Sequence, residues 1–406
     1  MNGIFAAVAA VAAVLGAYFL FYKGDKKGFL IMSALMIKAG IICAIAAPVR
    51  PAVQYTAFMA GILYCLYFLA AGTDRIKVSG KEYYITALVL ILSLVFFQGC
   101  AGKPEMPAIK GEIKLDFTPG ELYVSQDDEL IAGSQTGTTV KVFGSDLKEK
   151  YVFQAGAYPC DIIKQDKKII TSDRLSGTVT VYDTVSKEVY SVSTGGQYPS
   201  AVAYDSKKGL IYAANMGSSS VSVIDTVQKK VSGKIESGRW PSALFLSPDG
   251  RYLYIACKYT NTIEVAETEK RQIVFTRAQT GTSPVALLLL NKRELAVVNE
   301  WEYSYNGKGS VTVFDMEKYR ITGSMIVPGG PFGGAVSRSK RHIFLSVPLK
   351  DEIVSVNVKT GETEYSIKLK QGSLPGSTAV SRDGRKLFVA SRTDNKIIII
   401  QVNGLI

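Results

Sequence analysis

Two patterns of apolar residues divide the chain. Up to about Cys100 they run almost unbroken, and beyond it they come in short alternating bursts separated by Gly, Ser, Asn, Asp and Thr. The stretches at about 4–21, 29–47 and 52–71 are each long enough to cross a hydrocarbon core of roughly 30 Å at about 1.5 Å per helical residue. They predict three transmembrane helices. A fourth stretch, 85–97, spans only about 20 Å as a helix, so it reads either as a short fourth helix or as a signal-type segment. Lysines 23, 26 and 27 fill the first connection and Arg75, Lys77 and Lys81 the third, whereas the second has only Arg50. The positive-inside rule then sets the amino terminus outside and everything after Cys100 on the extracytoplasmic side of the cell membrane.

The bursts beyond Cys100 repeat one design. "IYAANMGSSSVSVID" from Ile211, "LYIACKYTNTIEVAE" from Leu253 and "LFVASRTDNKIIIIQ" from Leu387 each read as strand, tight polar turn and strand. A hairpin of this kind is marginal alone, so the copies must bury one another. Prolines 119, 159, 199, 241, 284, 331 and 375 each lead a repeat, spaced 40, 40, 42, 43, 47 and 44 residues apart. That period suits four short strands per unit and predicts an all-β, seven-bladed β-propeller behind an α-helical transmembrane region of three to four helices. The last repeat ends on its third strand, "KIIIIQVNGLI", and the segment "GEIKLDFTPG" before the first repeat supplies the matching surplus. A strand at 111–118 closing the last blade leaves the ring without an open edge. The expected divisions are a membrane region at 1–99, a linker at 100–110 and a propeller at 111–406.

The tetrad Tyr212, Ala213, Ala214 and Asn215, the proline lead "YPSAVA" and the period near 40 resemble the YVTN β-propeller repeat family. The resemblance implies the fold across about 111–406 and leaves function open, because relatives include lactonases, haem-d1 nitrite reductase domains, surface proteins and DNA-binding periplasmic proteins. "FFQGC" at 96–100 resembles the end of a bacterial lipoprotein signal, with Phe97 where that pattern usually has Leu. That likeness makes Cys100 a candidate for lipidation.

Charge and cysteine usage narrow the functions. Eight Lys/Arg and three Asp/Glu lie in the first hundred residues, leaving 39 and 32 of the totals of 47 and 35 beyond them. The resulting mild basic excess falls short of a nucleic-acid signature. Five scattered cysteines without a C-x-x-C pair give neither a disulfide framework nor a paired-thiol metal site. The single histidine, His342, opens the strand "HIFLSV" and reads as a strand-end residue, so haem ligation has no spare histidine.

In a propeller the loops between second and third strands share one face with the loops between blades, around the central funnel. Those loops carry Arg174, Arg239, Trp240, Lys258, Asn299, Glu300, Trp301, Tyr303 and Arg392, the candidate ligand-binding residues. The longest loop, "VNEWEYSYNGKGS", holds Trp301 and Tyr303, and large apolar rings left in water indicate a contact surface. A rim of mixed but mainly basic charge suits a small anionic or sugar-like ligand or a protein partner, for a binding or scaffolding module with no cofactor, metal or catalytic set assigned. Two alternatives stay open. A lactonase-like hydrolase would use funnel carboxylates such as Glu300, and single-stranded nucleic acid would use the basic rim and aromatics, although the acids in the same loops repel phosphate.

Overall fold

A computed structural model describes residues 106–402 apart from 279 and 302–306. The expected membrane segments, the signal-like stretch and Cys100 lie outside the described residues. Among the described residues no helix is long and apolar enough to cross a membrane.

The described chain forms seven antiparallel four-stranded sheets. Six of them, blades 1 to 6, use four strands consecutive in sequence, as in blade 3 with Pro199–Asp205, Leu210–Asn215, Ser220–Asp225 and Lys230–Glu236. Blade 7 takes Pro375–Val380, Lys386–Ser391 and Lys396–Gln401, and its fourth strand is Ala108–Lys114 from the other end of the domain. The ladder runs from Ala108 opposite Gln401 to Lys114 opposite Lys396, with an irregularity between Ile109 and Gly111. This strand starts inside the stretch read as a linker and stops short of Thr118. By Leu115, whose N–H donates to the Asn395 carbonyl at 2.8 Å, the chain is already turning toward blade 1.

Turn chemistry explains why the repeats fold this way. After third strands the terminal Asp or Asn caps the turn with its side chain: Asp225 accepts the N–H groups of Val227 and Gln228, and Asp315 those of Glu317 and Lys318. After first strands, "SPDG" and "SRDG" place Gly250 and Gly384 at φ 72° and 76°, the left-handed region that favours glycine.

The second and third strands alternate residues toward both neighbouring blades, so their burial is nearly continuous. Seven apolar clusters result, one at each blade interface. At the seam, Leu122, Leu130, Ala132 and Phe143 of blade 1 face Ala379, Phe388, Ala390 and Ile397 of blade 7. His342 is buried at a strand start, with Nε2 2.7 Å from the Glu364 carboxylate. Cys160 and Cys257 both lie in strands, and burial pushes the Cys160 thiol up to about 12. Truncating Phe388 to Ala at the seam should cost about 3–5 kcal/mol, measured as a shift of the urea unfolding midpoint. Deleting residues 108–114 should be more severe and abolish a single cooperative transition.

Candidate ligand-binding face

The first strands contact one another around the axis, stitched by side chains near the leading proline. Ser200 donates to the Pro241 carbonyl and Ser242 to that of Pro284, both at 2.7 Å, and the Cys160 thiol donates to that of Pro199 at 3.2 Å. One residue further, Asp161 accepts the Val202 N–H at 2.8 Å, and Glu121 accepts the Ser377 hydroxyl at 2.8 Å across the seam. Burial raises both carboxyls, Glu121 to about 8 and Asp161 to about 6, and the Asp161 charge lifts Glu121 further.

Residues just before the first strands carry positive φ: Tyr158 59°, Tyr198 52°, Trp240 58° and Leu374 45°. A non-glycine residue there is strained. The turn is held because the carbonyls of Tyr158, Tyr198 and Trp240 accept the N–H groups of Arg174, Met216 and Lys258 from the adjacent second-to-third-strand loop. The strained backbone leaves Tyr198 and Trp240 about half exposed on the funnel face rather than packed between blades.

A cavity of about 500 Å³ opens on this face. It is lined by Glu300 of blade 5, Gly330, Phe332, Pro348 and Leu349 of blade 6, Leu374 and Arg392 of blade 7, and Gln135 of blade 1. Arg392 crosses the seam: its Nε donates to the Gln135 side-chain oxygen at 3.0 Å, and its guanidinium carbon lies 4.9 Å from the Phe332 ring centre. Gly376 makes room for it, since a side-chain carbon there would meet Arg392 Cδ at 2.8 Å. On the other side Glu300 is paired with Lys258 at 2.6 Å. The cavity therefore offers a cation on one side, a carboxylate–lysine pair on the other and apolar walls between.

Of the residues singled out from sequence, Glu300 and Arg392 meet in the cavity and Lys258 adjoins it through Glu300. Arg239, Trp240 and Tyr259 form a separate aromatic cluster on blade 4, with the Arg239 guanidinium 3.8 Å above the Tyr259 ring and Trp240 edge-on to it at 5.5 Å. Arg174 sits on blade 2, its guanidinium 3.3 Å from the Met216 sulfur, away from the cavity. The side chain of Trp301 and all of Tyr303 lie outside the described residues.

Asn299 stands behind the face rather than on it. It is fully buried, and its amide donates to the Thr280 carbonyl at 2.7 Å and to Ser310 and Thr312. Asn215 and Asp173 hold the same place in their blades, bonded to Ser222 and Thr180 respectively. Asn299 thus ties the loop between blades to the sheet directly, whereas Asn215 and Asp173 do so through those hydroxyls: Ser222 donates to the Thr194 carbonyl and Thr180 accepts the Gly156 N–H. The sequence reading missed Gln135, Phe332, Leu349 and Leu374. Their signal was available, because each lies in a loop of the funnel face, but apolar residues and a glutamine were passed over for charge.

No family model matches the chain, and no curated protein matches it. Among solved structures it is similar to hydrazine synthase of Kuenenia stuttgartiensis, with 16% identity, a TM-score of 0.62 and coverage of 71% of this chain and 97% of that one. At that identity the likeness shows the fold alone, a β-propeller.

The channel acids set a pH dependence. Folded Glu121 keeps its proton up to about pH 8, against an ordinary value of 4.5. Its contribution to stability is therefore full below pH 4.5 and is lost as pH rises toward 8, with Asp161 adding the same sign between its ordinary 3.8 and about 6. Urea midpoints should fall from pH 5 to pH 8, and Glu121→Gln should flatten that slope.

Proposed function

We propose that the protein is a membrane-tethered, extracytoplasmic β-propeller of the YVTN type that acts as a binding module. It takes a small anionic or sugar-like ligand, or an acidic group of a protein partner, in the cavity on its funnel face. The observation that carries this reading is the position of Arg392. Its guanidinium is held by Gln135 and Phe332 at the cavity wall, with only Nε committed to a protein acceptor among the described residues. A planar cation with free donors is suited to a carboxylate or phosphate. Phe332, Leu349 and Leu374 remain partly or largely exposed beside it and supply an apolar bed for the rest of the ligand. β-Propellers commonly serve as such binding modules, and most of a ligand site is apolar with a few placed polar groups.

A hydrolytic reading would ask Glu300 to act as a base. Glu300 is instead engaged by Lys258 at 2.6 Å, an arrangement that orients the pair rather than leaving a carboxylate poised for a proton.

A thermal-shift screen of the full chain in detergent, against phosphorylated and cell-wall sugars, small carboxylates, lactones and divalent metals, tests the proposal. A ligand at a hundredfold its dissociation constant should stabilise the propeller by about 2.7 kcal/mol. The shift should disappear in Arg392→Ala and persist in Arg174→Ala. A metal-dependent shift lost in Glu300→Ala would overturn the binding-module reading in favour of hydrolysis.

A further inference from the structure

The opposite face has a different chemistry. There the turns between first and second strands of blades 5, 6 and 7 read Asn291-Lys292-Arg293, Arg338-Ser339-Lys340-Arg341 and Arg382-Asp383-Gly384-Arg385, and every Lys and Arg in them is exposed. The three turns are knitted into one surface. The Arg338 guanidinium donates to the Arg382 carbonyl, and the Lys340 ammonium to the Leu289 carbonyl at 3.1 Å.

Acids offset only part of this charge. Glu317 pairs with Arg293 at 2.8 Å and Asp383 lies 4.0 Å from Arg385, while the Asp128 carboxylate accepts the Arg382 N–H at 2.9 Å. Lys292, Arg338, Lys340 and Arg341 form no ion pair among the described residues. The basic excess is uneven around the ring: the same turns of blades 2, 3 and 4 set Lys167 and Lys168, Lys207 and Lys208, and Arg251 beside Asp166, Asp205 and Asp249 respectively. In blade 1 the same turn carries Asp127, Asp128 and Glu129 and no cation of its own, and is offset by Lys150 and Lys164.

The chain also enters the propeller at this end. Gln401 pairs with both Ala108 and Lys386, and the Val402 N–H donates to the Arg385 carbonyl at 2.8 Å. The first described strand thus begins two strands away from the blade 7 turn, and the apolar stretches read as membrane segments precede it in sequence, the last ending at 97.

From this juxtaposition we propose that the turns of blades 5, 6 and 7 dock on an anionic phospholipid surface. Polybasic segments beside membrane segments are drawn to acidic headgroups, and the attraction fades within a Debye length. The cations sit on turn tips spread over three blades rather than converging in a cleft, which fits a planar surface. The turns hold no aromatic residue on which a base could stack, so single-stranded nucleic acid fits less well.

Hydrogen exchange of the full chain in nanodiscs of phosphatidylcholine alone, or with phosphatidylglycerol added, reads this contact directly. Peptides covering 291–293, 338–341 and 382–385 should exchange at least about threefold more slowly with the acidic lipid. The protection should vanish in high salt and in the double variant Lys292→Glu, Arg341→Glu, which leaves the Arg338–Arg382 contact in place. Unchanged exchange in the strands of the variant would show that it folds. Equal exchange in both discs, or protection that survives the charge reversal, overturns the proposal. So does protection reproduced in phosphatidylcholine discs by inorganic phosphate or an oligonucleotide, which would assign the patch to a soluble anion.

Discussion

The ladder between Ala108–Lys114 and Lys396–Gln401 is the constraint on which the rest depends. Without it blade 7 would end in an unpaired edge, and an open edge is a template for other chains. The ladder also brings blade 1 against blade 7, which buries the seam cluster and sets Gln135 beside Arg392, 257 positions apart in sequence. The candidate site is therefore a product of ring closure. A local motif could not make it, because its wall is assembled from blades 5, 6, 7 and 1.

Closure also shapes the electrostatics of the axis. Glu121 meets Ser377 only because the ring is shut, and Asp161 is its neighbour on the next blade. Burial disfavours charge on both carboxyls, and a charged Asp161 disfavours it further on Glu121, so each releases its proton at a higher pH than it would in water. Polar groups elsewhere near the funnel serve order rather than recognition: Asn299 holds the loop between blades through the Thr280 carbonyl, and Asn215 and Asp173 hold the Ser222 and Thr180 hydroxyls that bond such loops. The strained residues Tyr158, Tyr198 and Trp240 complete those loops through their backbone carbonyls.

Much of this was legible in the sequence. The proline period gave the blade count, and the Asp-Gly turns gave hairpins that the structure shows at Gly250 and Gly384. The missing last strand pointed to closure from the amino-terminal side, although its register, starting at Ala108, was not legible because Lys110 is accommodated by an irregularity. The site was half legible. Charged residues such as Arg392 and Glu300 stood out, whereas Phe332, Leu349 and Leu374 look like ordinary core residues until the fold shows that no neighbouring blade covers them. Asn299 misled for the opposite reason, since a polar residue at the end of a strand reads as exposed unless the loop it ties is known.

The two faces divide the chemistry: a seam-spanning cavity with one held guanidinium on the funnel side, and uncompensated cations on the side where the chain enters. The most direct measurement is an experimental structure of the protein with the ligand that gives the largest thermal shift. The ligand's acidic group should lie against Arg392, with its body over Phe332 and Leu349 and an edge toward Gln135 across the seam. A ligand seated instead on the aromatic cluster of Trp240 and Tyr259, or beside Arg174, would contradict the assignment of function to the closed seam.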